Sequence, residues 1–183
     1  YTINVSFQTR VNKTTRTLEI AESFGLGLDE KDWTLYDNLE LEVEQGDVVY
    51  ITGQSGSGKS VVLRELQRQM KDEGLSVASI DDFTFDNDVN VIDQLGKTTS
   101  EALGLLSMAG LNDAYLFVRK PSEMSDGQKY RLKIAKLIES GAKVWAADEF
   151  GAVLDRVTAQ VVASNLQRAA RKVGATVMVA TTH

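Results

Sequence analysis

The sequence predicts an α/β fold with a mostly parallel core sheet, an N-terminal antiparallel β layer and a short helical insertion. Three observations support this fold class. After residue 46, short apolar segments alternate with amphipathic segments of helical period, which is typical of a parallel sheet covered by helices. Residues 1–45 instead favour strands, because apolar and polar positions alternate loosely along them. Residues 84–125 have mainly helical character and interrupt the alternation.

The antiparallel layer is expected to contain three strands. Two are predicted within residues 2–21, and a third covers 39–44, where apolar and acidic residues alternate. Residues 24–32 contain glycine and acidic residues, and they are predicted to form a loop. The apolar positions of the three strands are Ile3, Val5 and Phe7, then Leu18 and Ile20, then Leu39, Leu41 and Val43.

The rest of the chain is predicted to form the sheet core and its helices. Expected strands cover residues 48–51, 75–80, 143–147 and 175–180. Expected helices cover residues 59–72, 91–108, 126–140 and 156–172. We therefore divide residues 1–183, as one domain, into the β layer 1–45, the core segments 46–83 and 126–183, and the helical subdomain 84–125.

Composition limits the classes of function. The 183 residues are 43% hydrophobic and 25% charged, which is ordinary for one globular domain. The net charge of −6 argues against nonspecific nucleic-acid binding. The chain has no cysteine, so disulfides and thiolate metal sites are excluded. Apolar runs are far shorter than the ~20 residues of a membrane helix, and we expect a soluble, cytoplasmic protein without membrane insertion. Because the chain begins at Tyr1 without a Met, we also expect a piece of a longer protein.

Residues 53–60 read Gly-Gln-Ser-Gly-Ser-Gly-Lys-Ser and match the phosphate-loop pattern G-x-x-x-x-G-K-S in full. An apolar strand precedes them and an amphipathic helix follows, which is the context that the pattern requires. The glycines allow successive backbone amides to turn towards a phosphate chain, and the helix adds its positive end. A Gly/Ser-rich turn without a ligand is the alternative. The predicted nucleotide ligands are Gly53, Gln54, Ser55, Gly56, Ser57, Gly58, Lys59 and Ser60.

Two acids follow the apolar strand at 143–147. The carboxyl ends of parallel strands lie beside the phosphate loop, so Asp148 is expected to hold Mg²⁺ together with the Ser60 hydroxyl. Glu149 is expected to orient and deprotonate the attacking water, while Lys59 contacts the β- and γ-phosphates. A strand end that merely meets solvent is the alternative interpretation.

The stretch Glu-Met-Ser-Asp-Gly-Gln-Lys-Tyr-Arg, residues 123–131, permits two interpretations. Ser125 and Gln128 stand three apart before a helical segment, which is a capping box. Gly127 is not explained by a cap, because glycine weakens a helix by ~1 kcal/mol relative to alanine. A glycine here indicates that something approaches the backbone closely. We therefore also expect a second anion site at Ser125, Gly127 and Gln128.

Four motifs in this order resemble the ATP-binding-cassette (ABC) ATPases. Besides the phosphate loop, Met-Ser-Asp-Gly-Gln at 124–128 resembles their Leu-Ser-Gly-Gly-Gln signature. Residues 148–155 resemble the Walker B motif and D-loop, and 180–183 resemble the switch-histidine segment. The Glu-Phe-Gly wording and short helical region more narrowly resemble stand-alone archaeal ABC-type ATPases associated with a predicted acetyltransferase domain. An acetyltransferase-like partner is implied by this narrower resemblance.

The resemblance implies a head-to-tail, ATP-dependent homodimer around two Mg-ATP. Ser125 and Gly127 of one subunit would contact the γ-phosphate held by Lys59 of the other. His183 would bond the γ-phosphate and position the water, as a catalytic residue beside Glu149 and Lys59. An aromatic residue is implied on the adenine, and Phe24 is best placed for it, in competition with Trp33 and Tyr36.

Several positions depart from the family pattern. Asp126 replaces the first signature glycine, Phe150 replaces the usual proline, and Asp81 and Asp82 stand where the family has a glutamine. These departures put transporter coupling in doubt more than ATP hydrolysis. The sequence therefore favours a soluble ABC ATPase that converts ATP and water to ADP and phosphate and drives a conformational switch. The alternatives are the nucleotide-binding subunit of a membrane ABC transporter, a DNA-maintenance clamp, and a kinase or GTPase that shares only the phosphate loop.

Overall fold

A computed structural model describes most of the chain and divides it into two compact units, Tyr1–Glu42 and Val43–His183. The residues outside its description are 10–13, 25–30, 55 and 183.

The first unit is an antiparallel strand pair with one helix between the strands in sequence. Strand β1 (Thr2–Thr9) pairs with β2 (Lys31–Glu40), from Thr2 opposite Glu40 to Thr9 opposite Lys31. Helix α1 (Thr15–Phe24) follows β1. Ile3 is fully buried, as the alternation of the first predicted strand requires.

Two strand predictions in this unit are wrong. Leu18 and Ile20 lie in α1, where the spacing of Leu18, Ala21 and Phe24 suits a helix and alanine and glutamate favour it. The strand predicted at 39–44 instead ends at Glu40. The Leu41 amide still donates to the Tyr1 carbonyl at 2.6 Å, but residues 41–44 are not part of a strand. The predicted loop at 24–32 is confirmed at neither end, because Phe24 is helical and residues 31–32 are in β2; its centre lies outside the described residues.

The second unit is a four-stranded parallel sheet, which confirms the predicted core. Its strands are β3 (Val48–Thr52), β4 (Val77–Ser79), β5 (Val144–Ala147) and β6 (Thr176–Thr181). They are arranged in the order β3-β6-β5-β4, with every neighbouring pair parallel. Because β3, β6 and β5 are parallel, the carboxyl ends of all three strands lie at one edge of the sheet. This edge is where ligands bind in open α/β sheets.

Helices cover this sheet. They are α2 (Lys59–Asp72), α3 (Thr99–Met108), α4 (Ala114–Phe117), α5 (Asp126–Ser140) and α6 (Arg156–Val173), with single 3₁₀ turns at Ile80–Asp82, Val91–Gln94 and Pro121–Glu123. The predictions of α2 and α5 are confirmed at both ends. The continuous helix predicted at 91–108 is wrong. Gly96 has a φ of 65°, which breaks the helix. Helix α3 begins after Thr98, the N-cap residue, whose side chain accepts the Glu101 amide.

The core lies between the sheet and helices α3, α5 and α6. Strands β5 and β6 are buried along their whole length. Trp145 is only 1% exposed, and its indole N–H donates to the Ala142 carbonyl at 3.1 Å, so its polar atom is satisfied. Among the residues that the structure describes, no helix is long and apolar enough to cross a membrane.

Candidate nucleotide-binding site

The phosphate loop joins β3 to α2 as the sequence predicts. Gly56 and Gly58 adopt φ values of 79° and 89°, which a residue with a side chain rarely tolerates. Gly58 is the N-cap of α2 and supplies no side-chain cap. The amides of the first turn of α2 therefore have no cap from this residue, and they are the groups that bind an anion at a helix N-terminus. Ser55, the third residue of the motif, lies outside the described residues.

Lys59 is folded over this loop. Its Nζ donates to the Gly53 carbonyl at 2.8 Å and the Gln54 carbonyl at 2.6 Å, and it lies 3.5 Å from the Ser57 hydroxyl. The ammonium group thus lies among the backbone of the residues predicted to surround the phosphates. A bound phosphate chain offers stronger, charge-assisted partners than these carbonyls.

Ser60 and Asp148 are brought together from positions 88 residues apart. The Ser60 hydroxyl donates to Asp148 Oδ1 at 2.9 Å, across the strand ends of β3, β6 and β5. A hydroxyl and a carboxylate are the hard oxygen donors that Mg²⁺ prefers, so this pair fits the metal. Across the described ranges no group of three or more His, Cys, Asp or Glu could hold a metal ion. The pair therefore suits a Mg²⁺ that completes its coordination with phosphate and water.

Glu149 begins a tight turn directly after Asp148. It has a φ of 48°, unusual for a residue with a side chain, and its amide donates to Asp148 Oδ1 at 2.9 Å. The turn is tied to β6, since the Phe150 amide donates to the Ala180 carbonyl at 2.9 Å and Thr181 Oγ1 donates to the Phe150 carbonyl at 3.2 Å. The Glu149 side chain is exposed at the same sheet edge as Ser60 and Asp148.

Asp81 also reaches this site. Its Oδ2 accepts the Asp148 amide at 3.3 Å, so of the two acids at the glutamine position it is Asp81 that contacts Asp148. Tyr130 on α5 lies close by. Burial raises its pKa to about 12, with the negative charges of Asp81 and Asp148 acting in the same direction and a hydrogen bond from the Gly151 amide opposing them. No local pattern in the sequence marks Tyr130, because its neighbours come from segments distant along the chain.

The signature turn is a complete capping box. Ser125 Oγ accepts the Gln128 amide at 3.2 Å, and Gln128 Oε1 accepts the Ser125 amide at 2.9 Å. Gly127 is buried, and a Cβ added there would lie 2.7 Å from Cγ2 of Thr158. Packing against Thr158 within the subunit is therefore a second reason for a glycine here, and contact with a ligand stays a prediction.

The aromatic residues predicted to stack on adenine belong to the first unit. Phe24 ends α1 in the first unit, where its side chain is 75% exposed, and Tyr36 lies in β2. The side chain of Trp33 and all of His183 lie outside the described residues. Their roles stay predictions.

A parallel sheet, a glycine-rich phosphate loop and an acid-tipped strand at the same sheet edge define a P-loop nucleotide-binding ATPase. The family model described as ABC transporter matches residues 36–152. The chain therefore belongs to the ABC transporter family and is an ABC ATPase.

Individual relatives agree with this family. The chain is 27% identical to the methionine import ATP-binding protein MetN 2 of Oceanobacillus iheyensis, over 84% of the chain and 54% of that protein. The chain thus spans about half the length of the curated relatives it matches. Two solved structures share the fold. A dimeric ATP-binding cassette, MJ0796, in a post-hydrolysis state with ADP and Pi has a TM-score of 0.61 at 21% identity, over 86% of this chain and 84% of that one. The cbiO1 protein of Clostridium perfringens, part of the transporter complex cbiONQ, has a TM-score of 0.65 at 18% identity, over 82% and 73%.

Proposed function

We propose that this chain binds Mg-ATP, dimerises head to tail around two ATP molecules and hydrolyses them to drive a conformational change. The observation that carries the proposal is the 2.9 Å contact between Ser60 and Asp148 beside a full phosphate loop. It places a hydroxyl, a carboxylate and the Lys59 ammonium at one sheet edge, the combination that nucleotide hydrolysis requires.

The nucleotide is held mainly by the backbone. Amides of residues 53–58 and the N-terminus of α2 surround the phosphates, and the Lys59 ammonium leaves the two loop carbonyls for phosphate oxygens. Ser60 and Asp148 hold the Mg²⁺, which neutralises negative charge on the phosphates when it is bound. The Ser60–Asp148 hydrogen bond keeps both donors oriented before loading.

Glu149 acts as the base. Its carboxylate is exposed at the sheet edge. The hydrogen bond from its amide to Asp148 Oδ1 holds the Glu149 backbone, from which the side chain extends. It accepts the proton of a water whose oxygen attacks the γ-phosphorus, and the bond to the β–γ bridging oxygen breaks to give ADP and phosphate. His183 is proposed to hydrogen-bond the γ-phosphate and orient this water.

The signature turn acts on the partner's nucleotide. Ser125 and Gly127, with Gln128 beside them, lie at the N-terminus of α5, whose positive end favours an anion. In its own subunit the phosphate loop already surrounds a nucleotide, so the turn is proposed to contact the ATP of a second copy. The solved relative MJ0796 is dimeric and holds ADP and Pi, which supports the same assembly here.

The work of the ATP cycle is proposed to be transport. The sequence favoured a soluble switch, yet the methionine import relative and the cbiONQ subunit support the alternative, a nucleotide-binding subunit that docks on a separate membrane protein. The proteins compared above give no support to the narrower acetyltransferase-associated resemblance or its partner. Fractionation of cells that produce the protein tests this: we expect it in membranes within a complex, and recovery only from the soluble fraction contradicts it.

The ATPase proposal is tested by the mass in solution of the Glu149→Gln protein. Removing the base traps ATP, so we expect Mg-ATP to convert monomer to dimer, and ADP not to. Ser125→Arg fills the signature turn and is expected to abolish the dimer without changing ATP binding. A Glu149→Gln protein that binds ATP and remains monomeric with Mg-ATP as well as with ADP contradicts the head-to-tail arrangement.

A further inference from the structure

Thr158, in the first turn of α6, contacts two functional segments with two different atoms. Its hydroxyl donates to Asp155 Oδ2 at 2.7 Å, and its amide donates to Asp155 Oδ1 at 2.9 Å. Asp155 is the N-cap of α6 and the last residue of the segment 148–155, which follows β5. The Thr158 hydroxyl therefore binds the last residue of this segment.

The methyl side of Thr158 faces the signature turn. A Cβ on Gly127 would lie 2.7 Å from Thr158 Cγ2, closer than carbon atoms approach without a shift of the structure. Gly127 is buried, so the helix cannot present another face there without unpacking. The turn 124–128 thus lies closer to the start of α6 than a side chain at position 127 would allow.

This methyl group is not free to move aside. A β-branched side chain is stiff at χ1, and rotation of Thr158 would break its hydroxyl bond to Asp155. On α5, the ring of Tyr130 packs edge-on against Phe150, 5.2 Å between centroids. Helix α5 is therefore fixed to the segment 148–155 at both ends of that segment.

We propose that Thr158 is a positioning residue that locks the signature turn, residues 124–128, to the segment 148–155 of its own subunit. The two then meet the partner's nucleotide as one body, because the spacing between them is set by a single side chain. This inference rests on the proposed head-to-tail dimer. It gives Gly127 a contact with Thr158 in its own subunit, beside the proposed contact of the turn with the partner's phosphate.

The experiment is a rescue in the Glu149→Gln protein. Gly127→Ala introduces the overlap, and Thr158→Ser removes the methyl group while keeping the hydroxyl for Asp155. Residues in contact are coupled, so we expect Gly127→Ala to weaken ATP-driven dimerisation about tenfold and the added Thr158→Ser to restore it to within about threefold. Sedimentation velocity measures dimerisation, while ATP affinity at concentrations below dimerisation and the midpoint of thermal unfolding are measured beside it. Gly104→Ala is the matched control, since Gly104 lies in α3 with nothing within 4 Å of its Cβ position.

The outcomes separate this inference from the proposed function. If the Glu149→Gln reference fails to dimerise with ATP, the dimer is wrong and the positioning role falls with it. If the reference dimerises and Thr158→Ser does not rescue Gly127→Ala, only the positioning role is overturned and a phosphate requirement at Gly127 remains. A restored dimer with unchanged ATP affinity supports it.

A second variant covers the case in which Gly127→Ala does not fold. Thr158→Val keeps the shape against Gly127 but loses the hydroxyl bond to Asp155. We expect Thr158→Val to weaken dimerisation because the bond to Asp155 is lost, and Thr158→Ser alone to weaken it because a gap is left against Gly127, with ATP affinity of the monomer unchanged in both. Equal dimerisation by Thr158→Val and the reference would overturn the inference.

Discussion

The two helix N-termini proposed to face ATP differ in how their backbone amides are satisfied. Helix α2 begins after Gly58, which has a left-handed conformation and no side chain to cap it. Helix α5 begins after Ser125, which has an extended conformation and a closed capping box with Gln128. One N-terminus is open to an anion, and the other is already bonded to its own side chains.

This difference indicates unequal affinities for phosphate. Uncapped amides gain new hydrogen bonds when a phosphate arrives, whereas the capped turn offers mainly its helix end and the Ser125 hydroxyl. The phosphate loop is therefore expected to bind ATP in a single subunit, and the signature turn to add contacts only after the dimer forms. Variants of the two ends should accordingly differ in which step they affect.

The largest effect is expected from Lys59→Ala. Its ammonium donates to the Gly53 and Gln54 carbonyls of the loop at 2.8 Å and 2.6 Å, and hydrogen bonds from charged groups contribute about 1.5–3 kcal/mol. We expect ATP affinity of the monomer to fall about tenfold to a hundredfold, measured by titration calorimetry. Lys71→Ala, in the exposed last turn of α2, is the control and should bind normally. An equal loss from Ser125→Ala would remove the distinction between the two ends.

Gly58→Ala is expected to have the next largest effect. Gly58 has a φ of 89°, and an alanine in the left-handed region costs about 1–2 kcal/mol. We expect the loop to distort and ATP affinity to fall about tenfold, with a lower midpoint of thermal unfolding. The loop binds with its backbone, so restoring the glycine is the only change expected to restore binding. Normal affinity in this variant would show that the loop conformation at this position is not needed.

The phosphate loop could be predicted from sequence because all its parts are local. Residues 53–60 are contiguous, and the strand before them and the helix after them each carry their own periodic pattern. Asp148 could also be placed, because parallel strands end at one edge whatever their order. Its place beside Ser60 could be predicted from sheet geometry alone, without any local sequence pattern that links the two residues.

Contacts between distant segments could not be predicted. Nothing near Gly127 indicates that Thr158 lies against it, and Tyr130 gains its neighbours only when α5 packs on the turn after β5. Helix α1 could not be predicted, because a short segment with alternating apolar residues also fits a strand and periodicity alone does not distinguish the two. Tertiary packing decided each of these points.

Ser125→Ala is expected to have a smaller effect, and on stability instead of monomer binding. It removes the N-cap oxygen that accepts the Gln128 amide, which costs about 1 kcal/mol in free energy of unfolding. Urea unfolding measures this loss. ATP affinity of the monomer should be unchanged, in contrast to Lys59→Ala. A variant as stable as the native protein would indicate that the capping box contributes nothing to α5.

Asp155→Asn is expected to have the smallest effect, visible only as a change with pH. Asp155 caps α6, and its hydrogen bonds from the Thr158 amide and hydroxyl lower its pKa below the ordinary 3.8. Asparagine is an equally good N-cap, so the two proteins should be almost equally stable at pH 7.

The direction of the pH dependence follows from the lowered pKa of Asp155. The charged carboxylate stabilises the folded state fully above the ordinary value of 3.8, and this contribution is lost as the pH falls through the lower folded value. The other carboxylates titrate in both proteins and cancel in the difference between them. Urea unfolding from pH 7 to pH 3 should therefore show any advantage of the native protein over Asp155→Asn shrinking towards acid. A difference that does not vary with pH would mean that α6, unlike the phosphate loop, gains nothing from negative charge at its N-terminus.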